Sequence, residues 1–257
     1  MTQLHSNIIG SGARNFIILH GFLGMGDNWK THAKNLAQNG YCVHLVDARN
    51  HGRSFWSDQF SYPLMVQDLL NYMDFHHLED AIFLGHSMGG KTAMSFALQH
   101  PHRIEKLVVV DIAPKYYAPH HQQILAGLST MDFKVLSSRA AAGLHLEKFV
   151  TEIGVRQFLL KNLYWIEEGK LGLRPNIAVL KNAAESIGAS IASDKQFVKP
   201  TLFLQGENSN YINTDSDRQD ITRLFPKANI TSIKKAGHWL HAENPRDFFD
   251  SLTTWLG

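Results

Sequence analysis

Ala81-Ile82-Phe83-Leu84-Gly85-His86-Ser87-Met88-Gly89-Gly90-Lys91 is the stretch on which the fold of this chain turns. Its first half is a short apolar run of strand length. From Ser87 onward, apolar residues recur at three-to-four spacing until Pro101 stops them, which is the pattern of a helix. A serine between such a strand and such a helix sits on a turn tight enough to strain its backbone and push its hydroxyl away from the sheet. The residues two before and two after it must then be small, and they are Gly85 and Gly89. Five residues make a weak motif alone, and a glycine-rich turn closing a strand–helix unit is the alternative. The buried strand before it and the long helix after it favour a nucleophile.

Outward from this turn the strand–helix alternation repeats. Residues 16–20, 42–46, 81–85 and 107–111 are nearly continuous apolar runs, as expected of strands buried on both faces of a mostly parallel sheet. Residues 27–38, 64–76 and 87–100 carry the helical spacing of crossover helices, with Gly40 and Pro101 as stops. After Pro114 the character changes. Residues 115–199 hold no β-branched run of five or more, only helical patterns punctuated by Gly127, Gly143, Gly169 and Gly172. Strand signals return at 201–205 and 229–233. A helix over 247–256 closes the chain, with Asn244 as its cap and Pro245 in its first turn. The sequence therefore predicts an α/β core in two parts, residues 1–114 and 200–257, with flanking helices and an inserted helical cap at 115–199. There is no internal repeat and no low-complexity segment.

Composition bounds the function. The 257 residues are 44% hydrophobic and 19% charged, and a chain of this length hides roughly 70 to 75% of its extended surface on folding. Lys and Arg number 25 against 23 Asp and Glu, a net charge of +2 with no basic stripe, which disfavours nucleic acid as a partner. Apolar runs such as 16–19 and 107–110 fall far short of the ~20 residues of a membrane span. Residues 1–15 show no basic segment followed by an apolar one, so no export is expected. The single cysteine, Cys42, cannot form an intrachain disulfide and is expected as a small core residue, in keeping with a reducing, cytoplasmic compartment.

A serine hydroxyl needs a base, and the base needs a carboxylate behind it. Of fifteen histidines, His76 and His77 end a helix, and His120 and His121 are expected as ordinary insertion residues. His238 differs: it follows the last strand in Lys235-Ala236-Gly237-His238-Trp239, a loop at the sheet edge the serine turn also reaches. His241 lies three residues on, but no third metal ligand has suitable spacing, so no metal is expected. The loop after the next-to-last strand, Gly206-Glu207-Asn208-Ser209-Asn210-Tyr211, has a serine where an acid is expected. Asp111, at the carboxyl end of a central strand beside the serine turn, is the preferred acid, with Glu207 and Asp215 as alternatives. The backbone N–H groups of Met88 and Phe22 are the expected oxyanion donors, Phe22 lying in the loop His20-Gly21-Phe22-Leu23-Gly24, which the His20 ring can brace. Apolar insertion residues, among them Ile124, Leu128, Phe133, Phe149, Phe158, Leu159, Tyr164 and Trp165, together with Trp239, are candidates for a substrate pocket. Ordinary helix packing is the competing explanation for such a stripe.

The chain resembles the α/β-hydrolase superfamily, and within it the YbfF-type bacterial esterases and ABHD-eleven-like proteins. The resemblance runs from about Phe16 to the C-terminus and rests on residues 20–24, 47–54 (Asp-Ala-Arg-Asn-His-Gly-Arg-Ser), 85–91, 110–114 (Val-Asp-Ile-Ala-Pro), 208–211 and 236–243. The Arg49-Asn50-His51-Gly52 string is its most diagnostic part, and Ser209 without a carboxylate belongs to it. The resemblance implies a Ser87–Asp111–His238 triad and a hydrolase for carboxylic esters or acyl thioesters such as acyl-CoA, without a cofactor. Arg49, Asn50 and His51 are expected to brace loops. The alternatives are another reaction on the same scaffold (C–C hydrolysis, acyl transfer, perhydrolysis) or a non-catalytic binding protein that keeps the pocket. The sequence does not fix the acyl group or the oligomeric state.

Overall fold

A computed structural model describes residues 3–257, so the first two residues of the polar stretch 1–15 lie outside it. The strands are β1 (Ser6–Ile9), β2 (Arg14–Leu19), β3 (Tyr41–Val46), β4 (Ala81–His86), β5 (Ile104–Val110), β6 (Leu163–Glu167), β7 (Lys170–Leu173), β8 (Thr201–Gly206) and β9 (Ala228–Ile233). Seven of them form one sheet in the order β1-β3-β2-β4-β5-β8-β9. All its pairings are parallel except β1 with β3. Alternate residues of each strand point to opposite faces. Ile17, Phe83, Val109 and Phe203 therefore pack against the helices Tyr62–Phe75, Met88–Gln99 and Asp215–Leu224. Phe16, Ile18, Val108 and Leu204 face Leu36, Phe248 and Leu252 of the helices Lys30–Gln38 and Pro245–Leu256. The mostly parallel sheet with helices on both faces is the α/β architecture read from the sequence. The last helix has the expected start: the Asn244 side chain accepts from the Asp247 N–H, with Pro245 at the first position.

Three elements differ from the sequence expectation. β1 escapes the apolar-run test because it is a four-residue edge strand paired on one side only. It ends at Ile9 opposite Val43, which leaves Cys42 half-buried rather than in the core. The helix Asp215–Leu224 announces itself only through its capping box, in which Thr214 and Asp217 exchange hydrogen bonds. The stretch between β5 and β8 is not wholly helical. Its helices Gln122–Ser129, Arg139–Glu147, Ile153–Leu160, Ile177–Asn182 and Ala184–Gly188 are joined by the β6–β7 hairpin, which turns at Gly169 with φ +77°. That hairpin exposes Trp165 and Ile166 to solvent, so its strands never look like buried runs. The helices bury Leu125, Leu146, Leu159 and Leu180 against Phe22, Tyr62 and Met88. No helix among the described residues is long and apolar enough to cross a membrane.

Candidate active site

Ser87 stands between β4 and the helix Met88–Gln99 at φ 53° and ψ −116°, a backbone conformation that costs an ordinary residue about 1–3 kcal/mol. The crowding around it explains its glycines. A Cβ on Gly85 would lie 2.3 Å from the Gly89 carbonyl oxygen, and one on Gly89 would lie 2.4 Å from that of Leu19. The turn is held in place by the Ser87 N–H donating to the Val110 carbonyl at 3.0 Å.

Val110 leads directly to Asp111, which also has positive φ, 51°, and is fully buried. Its Oδ1 accepts from the Gly206 N–H at 2.9 Å, and its Oδ2 from His238 Nδ1 at 2.8 Å and from the Ser209 hydroxyl. The serine that stands where an acid was expected is thus a donor to the acid one strand inward. The three donors satisfy a carboxylate that burial removes from water. The other two candidate acids are engaged elsewhere. Glu207 is exposed and accepts from the Lys235 N–H, and Asp215 is exposed in the first turn of its helix.

His238 follows β9. Tyr211 stacks on its ring at 3.9 Å with 15° between planes, and the His86 ring lies 4.7 Å away on another side. His86 Nε2 donates to the His238 carbonyl at 2.9 Å. Burial, reinforced by His238 and His241, holds the His86 pKa well below its ordinary value. His86 therefore stays neutral beside the His238 ring. The Ser87 hydroxyl and the His238 ring share the wall of one cavity, without a direct hydrogen bond between them among the described residues. Nucleophile–base contacts are often long before substrate is in place.

The loop after β2 approaches Ser87 from the other side. His20 braces it: Nδ1 donates to the Gly21 carbonyl at 2.8 Å, and Nε2 accepts from the Ala48 N–H at 3.0 Å. Asn162, from the segment between β5 and β8, is buried and donates to the Leu23 carbonyl at 2.7 Å, holding a residue with φ 58°. The N–H groups of Phe22 and Met88 have no protein acceptor among the described residues. Met88 opens its helix, so its N–H has no partner within it. The Arg-Asn-His string braces neighbouring loops. Arg49 forms a two-pronged pair with Asp68 at 2.6 and 2.7 Å, and Asn50 Oδ1 accepts from the Ser57 N–H and the Asn176 side-chain amide.

A cavity of about 500 Å³ opens over Ser87, within the range of small-ligand sites. Ile124, Phe149, Phe158, Leu159 and Trp239 line it, as expected. Phe133, Tyr164 and Trp165 do not, and this corrects their assignment. Phe133 packs beside Leu163 and Leu171 of the β6–β7 hairpin, and within that hairpin Tyr164 lies under the Arg174 guanidinium at 4.6 Å and Trp165 is 51% exposed. Leu128 lies in the apolar packing instead. His120 and His121, expected as ordinary insertion residues, line the cavity, with His121 edge-on to Phe22 at 5.0 Å. His241 stacks on Trp29 at 4.0 Å, and burial pushes its pKa down to about 3. Among the described residues no group of three or more His, Cys, Asp or Glu side chains is placed to hold a metal ion. The roles of Tyr211, His86 and Asn162 had no sequence signal, since each depends on a partner at least 27 positions away.

A family model described as alpha/beta hydrolase fold matches residues 14–134. Over 247 residues the chain is 41% identical to the sn-1-specific diacylglycerol lipase ABHD11 of Danio rerio, aligning 93% of this chain with 77% of that one. It is 36% identical to the esterase YbfF of Escherichia coli strain K12, over 93% of this chain and 92% of its relative. The solved structure of a marine microorganism esterase superposes at a TM-score of 0.95 with 37% identity, covering 99% of this chain and 100% of that one.

Proposed function

We propose, from the premise that this chain belongs to the α/β-hydrolase family and is an esterase-type hydrolase, that Ser87, His238 and Asp111 cleave carboxylic esters, and acyl thioesters such as acyl-CoA, through an acyl-enzyme. The observation that carries this reading is the Asp111–His238 hydrogen bond of 2.8 Å at the wall of the cavity into which the strained Ser87 turn opens.

In the first step Ser87 Oγ bonds to the carbonyl carbon while His238 Nε2 takes the hydroxyl proton. Asp111 holds the ring through Nδ1, keeping Nε2 free to accept, and supports the imidazolium. The carbonyl π pair moves onto oxygen, where the Phe22 and Met88 N–H groups receive it. The tetrahedral intermediate collapses, and the C–O or C–S bond to the leaving group breaks as His238 returns the proton to it. Water then attacks the Ser87 ester with His238 again as base, which releases the acid and restores the serine. Every step uses groups of this chain and water. Residues 115–199 serve in this reading as a cap over a core of residues 1–114 and 200–257.

The test is hydrolysis of p-nitrophenyl esters and acyl-CoA thioesters of increasing chain length, beside Ser87→Ala. Turnover well above background that the substitution abolishes is expected for at least one class. Turnover that survives it would remove Ser87 from the mechanism.

A further inference from the structure

A second, smaller cavity of about 20 Å³ is also walled by Ser87, with room for only one or two non-hydrogen atoms. Tyr62, Met88, Lys91, Ile112, Tyr117 and Ile187 are among its walls. The two cavities differ in one respect that bears on chemistry: His238 lines the large one and not the small one. His238 must hand its proton to the leaving oxygen or sulfur, so the leaving group has to depart on the His238 side. The acyl substituent then points the other way.

From this geometry, and resting on the esterase reading, we propose that the enzyme is selective for short acyl groups of two to three carbons carried on large alcohols or thiols, the acyl group entering the small cavity and the leaving group filling the large one.

Three polar side chains in the wall of the small cavity, Tyr62, Tyr117 and Lys91, are already committed and resist its widening. The Tyr62 hydroxyl donates to the Ile187 carbonyl at 2.7 Å. The Tyr117 hydroxyl donates to the Tyr211 carbonyl at 2.6 Å and accepts from the Ala113 N–H at 2.9 Å. Lys91, 1% exposed and one helical turn after Ser87, donates through Nζ to the carbonyls of Lys115 at 2.7 Å, Gly188 at 3.0 Å and Ala189. It thereby ties both chain crossings between core and insertion to the helix that follows the nucleophile. Moving any of these side chains to admit a longer acyl chain leaves buried polar groups without partners, a cost that packing gains from a few methylenes do not offset. The large cavity, by contrast, has apolar insertion side chains in its wall, Ile124, Phe149, Val150, Val155, Phe158 and Leu159, that carry no such commitments.

Isomeric esters test the assignment. Decyl acetate and ethyl decanoate have the same formula and nearly the same hydrophobicity, but carry the long arm on opposite sides of the carbonyl. The expected result is a kcat/KM at least about tenfold higher for decyl acetate. Equal values, or a preference for ethyl decanoate, would overturn the assignment. So would failure on both isomers by protein that still cleaves p-nitrophenyl acetate, since the large cavity would then not be accepting the decyl chain. Loss of p-nitrophenyl acetate hydrolysis as well would instead strike the esterase reading beneath it. Ile187→Ala, which leaves the backbone acceptor for Tyr62 intact, should raise the ratio of butyrate to acetate hydrolysis at least about threefold. An unchanged ratio in folded protein would also count against the small cavity as the acyl site.

Discussion

Asp111, which holds the His238 ring, and Phe158, which lines the cavity over Ser87, are held in place in different ways. Asp111 comes from the turn after β5, is fully buried, and has its carboxylate oxygens occupied by Gly206, Ser209 and His238. Phe158 comes from an insertion helix, is half-buried, and meets its neighbours through apolar contact alone, such as the Trp239 ring at 5.9 Å. A directional hydrogen-bond set admits one geometry, whereas apolar contacts admit many side chains of similar volume. The edge of the sheet thus holds its groups in one geometry, and the insertion shapes the space beside them.

The largest effect that can break this division is expected at Asp111. Asp111→Asn keeps the size of the side chain but holds His238 in the wrong tautomer. It should lower kcat/KM by about 10³- to 10⁴-fold, whereas Glu207→Gln and Asp215→Asn should stay near the parent value. Near-normal kinetics for Asp111→Asn would place the acid elsewhere.

The buried histidines of the core make a second prediction. Burial pushes His51 and His241 down to about 3, from an ordinary value of 6.5. Below pH 6.5 the unfolded chain takes up these protons and the folded chain does not. Folding stability therefore falls as the pH drops from 6.5 toward 3, by up to about 1.4 kcal/mol per pH unit for each histidine. Urea titrations at pH 7 and pH 5 would measure it, and His241→Phe should flatten the dependence. A stability that does not change between these values would contradict the burial argument.

Asn162 marks the place where the division is crossed. It belongs to the insertion yet holds the Leu23 carbonyl beside the Phe22 N–H. Asn162→Ala should reduce kcat about tenfold with little change in KM. A change in KM alone would make it a packing residue. The smallest effect is expected at Phe158. Phe158→Ala should raise KM about threefold for long-armed esters and leave kcat nearly unaltered, and a large loss of kcat there would mean that the insertion takes part in the chemistry.

The same contrast explains what could be read from the chain. Ser87 was legible because a strained turn demands Gly85 and Gly89, and that demand is local in sequence. Asp111 and His238 could be reached because one directly follows β5 and the other lies in the loop after β9, so topology brings them to one edge. The four central strands were visible as apolar runs because both their faces are covered. β1 and the β6–β7 hairpin were not, because an edge strand and an exposed hairpin owe their existence to a partner strand or a turn rather than to their own composition. The cavity walls were half legible: Phe158 and Trp239 line it, but whether an apolar insertion residue faces a cavity or a neighbouring helix depends on packing angles that periodicity does not encode. Tyr211 and Asn162 act through contacts with distant parts of the chain and left no pattern to read.

The central claim, that Ser87 is an activated nucleophile, is tested most directly by treating the folded protein with a fluorophosphonate and locating the adduct by peptide mass spectrometry. A single adduct on Ser87, lost in His238→Ala, is the expected result. Absence of any adduct, or an adduct on another serine, would contradict it.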